Sequence, residues 1–303
     1  MPEAAHADDA PTTYAGAIVH AARPRTLPAA ATPVLVGTAL AYDQGTFAAL
    51  PALGALVCAL LIQVGTNFVN DYFDHAKGAD TDDRVGELRV SQAGVADPAH
   101  VKGWGTIAFG LAVLAGVYLV SVGGWPILAI GLASILAAIL YTGGPWPYGY
   151  HGLGDPFVFV FFGLVAVGGT YYLQAGTVTV NAMLLGAGVG ALATNILVVN
   201  NLRDVPTDRE AGKRTLAVVL GPAGARLEYA LLLAMAFAVP PIAILIFGLD
   251  PKAFLAMAAL IPAFGTFQVV EATEDPTVLD GQLPRTARVL AAYGLLVSLG
   301  VAL

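Results

Sequence analysis

Long runs of apolar residues, separated by short polar segments, dominate this chain of 303 residues. A helix that crosses the hydrocarbon core of a bilayer needs about 20 mostly apolar residues. The pattern predicts spanning helices at 26–42, 47–69, 103–122, 125–142, 157–175, 181–200, 228–249, 251–270 and 286–303. We therefore expect an all-α integral membrane bundle of nine transmembrane helices, formed by a single domain over 1–303.

Proline and the polar N-terminus affect the boundaries of this series. The first predicted helix contains Pro28 and Pro33, and the seventh contains Pro240 and Pro241, where a kink is expected. The polar residues 1–20 are predicted to be a flexible N-terminal segment. They lack the basic start of a signal peptide, so no cleavage is expected.

The composition agrees with a membrane environment. Hydrophobic residues make up 57% of the chain and charged residues only 12%, whereas soluble domains carry roughly 25% charged residues. The net charge of −7 argues against a nucleic-acid partner, because such proteins carry basic patches. The expected surroundings are membrane lipid.

The basic residues are distributed asymmetrically about the predicted helices. With nine helices, every Lys and Arg except Lys252 falls in the N-terminal segment, in the loops after helices 2, 4, 6 and 8, or, for Arg288, in the first residues of helix 9 next to such a loop. Basic loops usually stay in the cytoplasm. This predicts a multi-pass protein of the inner cell membrane, with a cytoplasmic N-terminus and an external C-terminus.

Two polar loops, 70–102 and 201–226, follow the second and sixth predicted helices on this same side. Each begins with an Asn-Asp cluster, "NFVNDYFD" at 67–74 and "NNLRDVPTD" at 200–208, which resembles a weak internal repeat. Residues three or four apart share a helix face. The polar residues expected on these faces are Asn67, Asn70, Asp71 and Asp74 in the first cluster, and Asn200, Asn201, Asp204 and Asp208 in the second.

Carboxylates this close together repel one another unless a cation lies between them. Oxygen ligands suit Mg²⁺, which often bridges a few carboxylates to substrate phosphates. Basic residues that a phosphate also needs lie nearby, namely Lys77, Arg84, Arg89, Arg203, Lys213 and Arg214. The two clusters therefore predict a magnesium-dependent diphosphate site at the cytoplasmic side. Asp82, Asp83, Glu87, Asp97 and Glu210 are interpreted as ordinary solvated loop charges.

The segments "NDYFDHAKGAD" and "NNLRDVPTDREAGKRTLAV" together resemble the two aspartate-rich signatures of the UbiA-type intramembrane prenyltransferases. The resemblance implies nine helices around a central cavity and transfer of a prenyl group from a polyprenyl diphosphate to an acceptor. It implies Mg²⁺ ligands at Asp71, Asp74, Asp204 and Asp208, with Asp80 as a further ligand. The broader family pattern has an acid at the position of Gly78, so the role of Asp80 stays open.

Three segments resemble the branch of the family that prenylates 1,4-dihydroxy-2-naphthoate. They are "RPRTLPAAATPVLVGTALA" at 23–41, "NFVNDYFDHAKGADTDDR" at 67–84 and "YTGGPWPYGYHGLGDPFVFVFFG" at 141–163. This branch implies decarboxylation of the acceptor, giving demethylmenaquinone. The acceptor ring is expected near Asn67, Tyr141 and the 145–155 loop.

Aromatic faces can stabilise an allylic cation by cation–π attraction. The candidates are Tyr72, Tyr141, Trp146, Tyr148 and Tyr150, for which an interfacial aromatic belt is the alternative interpretation. Arg23 is a candidate to bind the naphthoate carboxylate, or else it anchors the topology. The substrate-binding set is completed by Asn70, Lys77, Arg84, Asn200, Asn201, Arg203 and Lys213.

Two alternatives to this function remain. One is a UbiA-type enzyme with another acceptor, such as 4-hydroxybenzoate, a chlorin, haem or a glycerol phosphate lipid. The other is a membrane transporter, although transport sites lie near the bilayer midplane. In this chain the acids instead gather at the predicted helix ends.

Overall fold

The computed structural model contains helices and connecting turns, and no β-strand, over the residues that it describes: 11, 13–78, 85, 86 and 88–303. In chain order the helices are α1 (Tyr14–Ala22), α2 (Leu27–Asp43), α3 (Ala49–Ala76), α4 (Pro98–Gly123), α5 (Trp125–Leu140), α6 (Gly154–Ala175), α7 (Val180–Arg203), α8 (Val205–Glu210), α9 (Leu216–Phe247), α10 (Pro251–Ala272), α11 (Pro276–Asp280) and α12 (Leu283–Ala302).

Seven helical stretches in the described part of the chain are long and apolar enough to cross a membrane. They are α3, α4, α6, α7, α9, α10 and the pair α11–α12. The other two predicted spans correspond to α2 and α5, which have 17 and 16 residues. The all-helical membrane class is therefore confirmed, whereas the count of nine spanning helices is not.

One local prediction differs from the structure. Residues from Tyr14 onward, predicted to be flexible, form α1, which is capped by the Thr13 side chain and buries Ala17 and Ala21. Ala is a strong helix former, and burial stabilises this short helix further. In α9 the non-helical backbone lies at Gly221 (φ 72°), ahead of Pro222. This break lies ahead of the predicted seventh helix, and the kink at Pro240 and Pro241 stays a prediction.

Helix α7 lies at the centre of the bundle. Of its most apolar 18-residue stretch, 72% is buried, compared with 22% for α3 and 28% for α4. Its small residues permit close contact with α6. A Cβ atom on Gly163 would lie 2.4 Å from the Gly186 carbonyl oxygen and 2.6 Å from the Gly190 Cα. Around this contact α6 adopts a π-helical segment over Phe159–Val165.

The main core packs α7 against α2, α6, α9, α10 and α12, and includes the fully buried Tyr171, Leu192 and Tyr293. The Tyr293 hydroxyl donates to the Ala236 carbonyl at 3.0 Å, which satisfies a polar group inside the apolar core. Large apolar side chains cover the outside instead; Leu245 and Ile261 are 83% and 81% exposed. Such a surface fits lipid better than water.

Candidate active site

A cavity of about 640 Å³ lies between helices α2 to α7 and α12. Its polar end is built from helix ends and loops, and its remainder is apolar. The polar end includes Asn70, Asp74, Arg89, Tyr150, Asn200, Arg203, Asp204, Asp208, Lys213 and Asp280. Segments far apart in the chain thus meet at one site.

Asp74, near the C-terminal end of α3, is a buried carboxylate of this site with both basic and hydroxyl partners. Arg89 Nη2 donates to its Oδ2 at 3.2 Å, and the Tyr150 hydroxyl donates to its Oδ1 at 2.6 Å. The Lys213 ammonium lies 3.5 Å from Oδ1. Because Asp74 is buried, these partners are needed to offset its desolvation.

Asp71 has a different position from the one predicted. Its two carboxylate oxygens accept the backbone N–H groups of Val90 and Ser91, at 3.2 and 3.1 Å. It is buried and is not among the residues that line the cavity. Helix α3 turns this side chain toward the 88–91 loop, and the metal-ligand and catalytic roles of Asp71 stay predictions. Asp71 fixes the loop that carries Arg89.

The second cluster lies where α7 ends at Arg203 and α8 begins at Val205. Arg203 holds Asp204 with two hydrogen bonds of 2.7 Å, from Nε to Oδ1 and from Nη2 to Oδ2. Asp204 itself sits between the two helices, where Pro206 prevents a continuous helix. This break turns both Asp204 and Asp208 toward the cavity.

Lys213 connects the two clusters. Its ammonium lies 3.9 Å from Asp208 Oδ1 and 3.5 Å from Asp74 Oδ1. The Thr215 hydroxyl lies 3.5 Å from Asp208 Oδ2. The predicted proximity of Asp74 and Asp208 therefore appears in the fold, with a cation between them.

The side-chain amides of Asn67 and Asn70 form hydrogen bonds that join separate segments of the chain. Asn67 donates to the Ala22 carbonyl at 2.8 Å and to the Thr26 hydroxyl at 3.0 Å, which joins α3 to the turn before α2. Asn70 Oδ1 accepts the Thr142 hydroxyl at 2.8 Å. Both amides also line the cavity.

The other amides and Lys77 complete this end of the cavity. Asn200 Oδ1 accepts from Arg203 at 3.0 Å, and the buried Asn201 faces the cavity. Lys77 donates to the Thr142 carbonyl at 2.6 Å and lies 5.2 Å from the Tyr150 ring. It does not line the cavity, so it holds the 142–150 loop in this state.

Three of the five aromatic candidates line the cavity: Tyr141, Tyr148 and Tyr150. Tyr148 packs edge-on against Tyr141 at 5.5 Å and stacks on Phe157 at 4.1 Å. Burial raises the pKa of Tyr148, so its phenol stays neutral at physiological pH. Tyr72 and Trp146 lie outside the cavity lining, which favours the interfacial interpretation for them.

Arg23 has an unusual backbone and an incompletely satisfied side chain. It adopts the left-handed conformation, φ 51°, at the end of α1, and it lines the cavity. Its Nη2 atom is buried and has no hydrogen-bond partner among the residues that the structure describes. A buried guanidinium nitrogen with a free donor suits an anionic group of a ligand.

Two predicted site residues, Asp80 and Arg84, lie outside the described residues, as do Asp82, Asp83 and Glu87, which were interpreted as loop charges. Other contacts were missed from the sequence: Thr26 and Thr142 as partners of Asn67 and Asn70, and Asp280 as a partner of Arg203. Nothing in the spacing pointed to these three residues, since each belongs to a segment without a repeated polar pattern. Helix packing alone brings them to the site.

The donor set can be compared with the needs of Mg²⁺. Asp74, Asp204 and Asp208 offer carboxylate oxygens at one end of the cavity, which is the chemistry that Mg²⁺ prefers. Within the described residues, no three His, Cys, Asp or Glu side chains are grouped closely enough to enclose a metal ion. The residues therefore fit Mg²⁺ that is shared with substrate phosphates rather than caged by protein alone.

A bundle of apolar helices around a cavity with a charged end and an apolar remainder is the architecture of an integral membrane protein that can bind an amphiphilic ligand. The chain belongs to the UbiA prenyltransferase family, which its residues 30–277 match. It is therefore a membrane prenyltransferase.

Relatives within this family are closely similar. A 1,4-dihydroxy-2-naphthoate octaprenyltransferase from Mycobacterium tuberculosis is 45% identical over 218 residues, covering 72% of this chain and 74% of that protein. The enzyme of the same name from Haemophilus influenzae is 40% identical over 225 residues, covering 71% and 72%. These matches confirm the predicted family resemblance.

The fold is also similar to that of a UbiA homolog from Archaeoglobus fulgidus solved with GPP and Mg²⁺. The TM-score is 0.66, and the match covers 93% of this chain and 99% of that one. Sequence identity is only 14%, so this likeness concerns the fold alone.

Proposed function

We propose that this prenyltransferase moves a polyprenyl group from its diphosphate to 1,4-dihydroxy-2-naphthoate, with loss of carbon dioxide. The observation that carries the proposal is one cavity in which acids and bases meet at one end and apolar side chains continue from them. A polyprenyl diphosphate has the same two parts. The relatives that share 40–45% identity are named for the naphthoate acceptor.

The diphosphate belongs at the polar end. Lys213 and Arg89 lie beside Asp74 and would bind phosphate oxygens, while Arg203 holds Asp204 in place. Mg²⁺ held by Asp74, Asp204 and Asp208 would supply the positive charge that a departing diphosphate needs. Positive charge fixed before the reaction lowers the barrier, because the protein need not reorganise as the leaving group forms.

The prenyl chain belongs in the apolar part of the cavity. Phe161 and Val165 of α6 face Val117 of α4 and Leu132 of α5 there. Val117 and Leu132 line the cavity and yet are 64% and 61% exposed. The cavity is therefore open toward lipid between α4 and α5, which supports a long hydrocarbon donor.

The aromatic wall suits the cationic stage of the reaction. Tyr141 and Tyr148 line the cavity near its polar end, and their ring faces can attract an allylic cation by roughly 0.5–2 kcal/mol. The neutral phenol of Tyr148 offers no phenolate to trap the cation. Apolar surroundings also exclude the water that would quench it.

Arg23 is the proposed contact for the acceptor carboxylate. Its unsatisfied Nη2 is buried at the cavity wall, close in the chain to Thr26, which Asn67 contacts. Holding the carboxylate would direct the ring carbon that bears it toward the prenyl group. The acceptor site would then lie among Arg23, Asn67 and Tyr141.

The bond changes balance without a protein base. The bond between prenyl carbon and phosphate oxygen breaks, and its electrons leave with the diphosphate. The ring carbon that bears the carboxylate forms the new carbon–carbon bond, and carbon dioxide leaves while its bonding electrons restore the aromatic ring. The immediate product is the hydroquinone form of demethylmenaquinone. Its oxidation to the quinone is a separate reaction.

Carboxyl-labelled 1,4-dihydroxy-2-naphthoate tests the proposal in purified protein. We expect one labelled carbon dioxide for each prenyl group transferred, and loss of both signals when EDTA removes Mg²⁺. The Asp74→Asn protein is the matched inactive control. Retention of label in the prenylated product, or faster transfer to 4-hydroxybenzoate, would contradict the assigned acceptor.

A further inference from the structure

Arg203 is a buried guanidinium that contacts two carboxylates at once. Besides its paired bonds to Asp204, its Nη1 donates to Asp280 Oδ1 at 2.6 Å. The Arg203 side chain is 2% exposed. The hydrogen-bond partners of so deeply buried a guanidinium determine its position, because moving it would leave its N–H donors unsatisfied.

Asp280 comes from a part of the chain that the aspartate-rich clusters do not include. It ends α11, in the connection between α10 and α12, and lies beyond the residues 30–277 that match the family. It nevertheless lines the same cavity as Asp204 and Asp208. Its side chain is 31% exposed, so it sits at the mouth of the polar end.

A third segment, the loop that contains Gly86, also packs against Arg203. A Cβ atom on Gly86 would lie 2.9 Å from Arg203 Nη1 and 3.0 Å from its Cζ. Gly86 also has φ +131°, a conformation that other residues rarely adopt. The guanidinium is thus packed by the loop before α4 and hydrogen-bonded by α7 and α11.

We propose that Asp280 is a positioning residue that lets Asp204 exchange Arg203 for a divalent cation. This inference rests on the proposed function. Asp204 now gives both oxygens to Arg203, so a divalent cation that binds Asp204 competes with the guanidinium for the charge of this carboxylate. Asp280 and Asn200 keep Arg203 charged, buried and hydrogen-bonded during that exchange. Without Asp280, Asp204 is the one carboxylate in contact with Arg203 among the described residues and is held more firmly.

The binding of Mn²⁺ to detergent-solubilised protein tests this role. Electron paramagnetic resonance measures free Mn²⁺ in the presence of a non-reactive prenyl thiodiphosphate. Asp280→Asn should weaken Mn²⁺ binding roughly 10-fold, as loss of an outer partner commonly does, and Asp280→Glu should recover much of it. Glu274→Gln removes a charge from the same connection at an exposed position outside the cavity lining, and should leave binding unchanged.

A double-mutant cycle separates positioning from general electrostatics. In an Arg203→Gln background, Asp280→Asn should have no further effect, because Asp280 acts through Arg203. Additive losses, or unchanged Mn²⁺ binding in Asp280→Asn, would overturn the inference. Wild-type protein that binds no Mn²⁺ with the analogue would instead refute the proposed function. Asp280→Ser replaces Asp280→Asn if the latter protein does not fold.

Discussion

Asp71 and Asp74 are three residues apart on α3, yet their carboxylates have different partners. Asp71 binds the backbone of Val90 and Ser91, whereas Asp74 binds side chains at the cavity. The two positions are about one turn apart, so a modest rotation of α3 would exchange which of them faces the cavity. At this scale, function depends on the helix orientation as much as on residue type.

Asp74→Asn and Asp204→Asn should each lower turnover 10-fold or more, about 1.4 kcal/mol for each factor of ten. Each change removes a charge from the polar end of the cavity while preserving the shape of the side chain. Steady-state kinetics at saturating Mg²⁺ measure the effect. Asp43→Asn, at the exposed end of α2, is the matched control and should retain wild-type turnover.

Asp71→Asn should act on the loop rather than on the chemistry. An amide oxygen can replace one acceptor, but the second N–H of Val90 or Ser91 loses its partner, which costs about 1–3 kcal/mol. Hydrogen exchange should become faster at these two amides. The KM for the diphosphate should rise as Arg89 loosens, and a pure loss of turnover with unchanged exchange would contradict this role.

The sequence predicted the composition of the site better than its geometry. Asp74, Asp204, Asp208 and Lys213 could be identified because their clusters repeat at the ends of two apolar helices. The turn of Asp71 toward the 88–91 loop could not be predicted, since periodicity gives relative faces but not the rotation of the helix against its neighbours. Asp280 had no local signal at all.

At the scale of elements, the contact between α6 and α7 sets the back of the cavity. Gly163 lies against the backbone of Gly186 and Gly190, with no room for a side chain. Small residues at such crossings let helix backbones approach closely within a membrane. The frequent glycines of these spans indicated close contacts, although the sequence did not specify the partners.

Gly163→Ala should lower the thermal stability of the detergent-solubilised protein, by about 1–3 kcal/mol for an overpacked site. Its new Cβ would meet the Gly186 carbonyl oxygen at 2.4 Å. Gly110→Ala provides the control, because a Cβ there has no atom within 4 Å. A similar melting temperature for both variants would show that α6 and α7 can separate without cost.

At the scale of the whole molecule, the charge asymmetry and the site agree. The turn before α2 and the connections after α3, α5, α7 and α10 all contribute residues to the polar end of one cavity. The nine-helix prediction assigns these segments to the same side of the membrane. The positive-inside rule predicts that this side is cytoplasmic, and the proposed diphosphate site would also need basic residues there.

Labelling of introduced cysteines tests the orientation in a Cys58→Ala background. In intact spheroplasts, a membrane-impermeant maleimide should modify Asp43→Cys, which we predict to be external. Glu274→Cys, predicted to be cytoplasmic, should react only after permeabilisation. Both native side chains are exposed, so burial does not explain a difference. The reverse pattern would show that the predicted orientation is wrong.

The π-helical segment of α6 helps to keep the cavity-lining side chains of this helix on one face. Phe157, Phe161, Val165, Gly169 and Leu173 line the cavity at intervals of four residues. In a regular α-helix, which turns about 100° per residue, each such step overshoots a full turn by about 40°. The wider turns over 159–165 offset part of this drift. Deleting one residue from that segment would therefore rotate the following half of α6 relative to the cavity, even if every cavity-lining residue were retained.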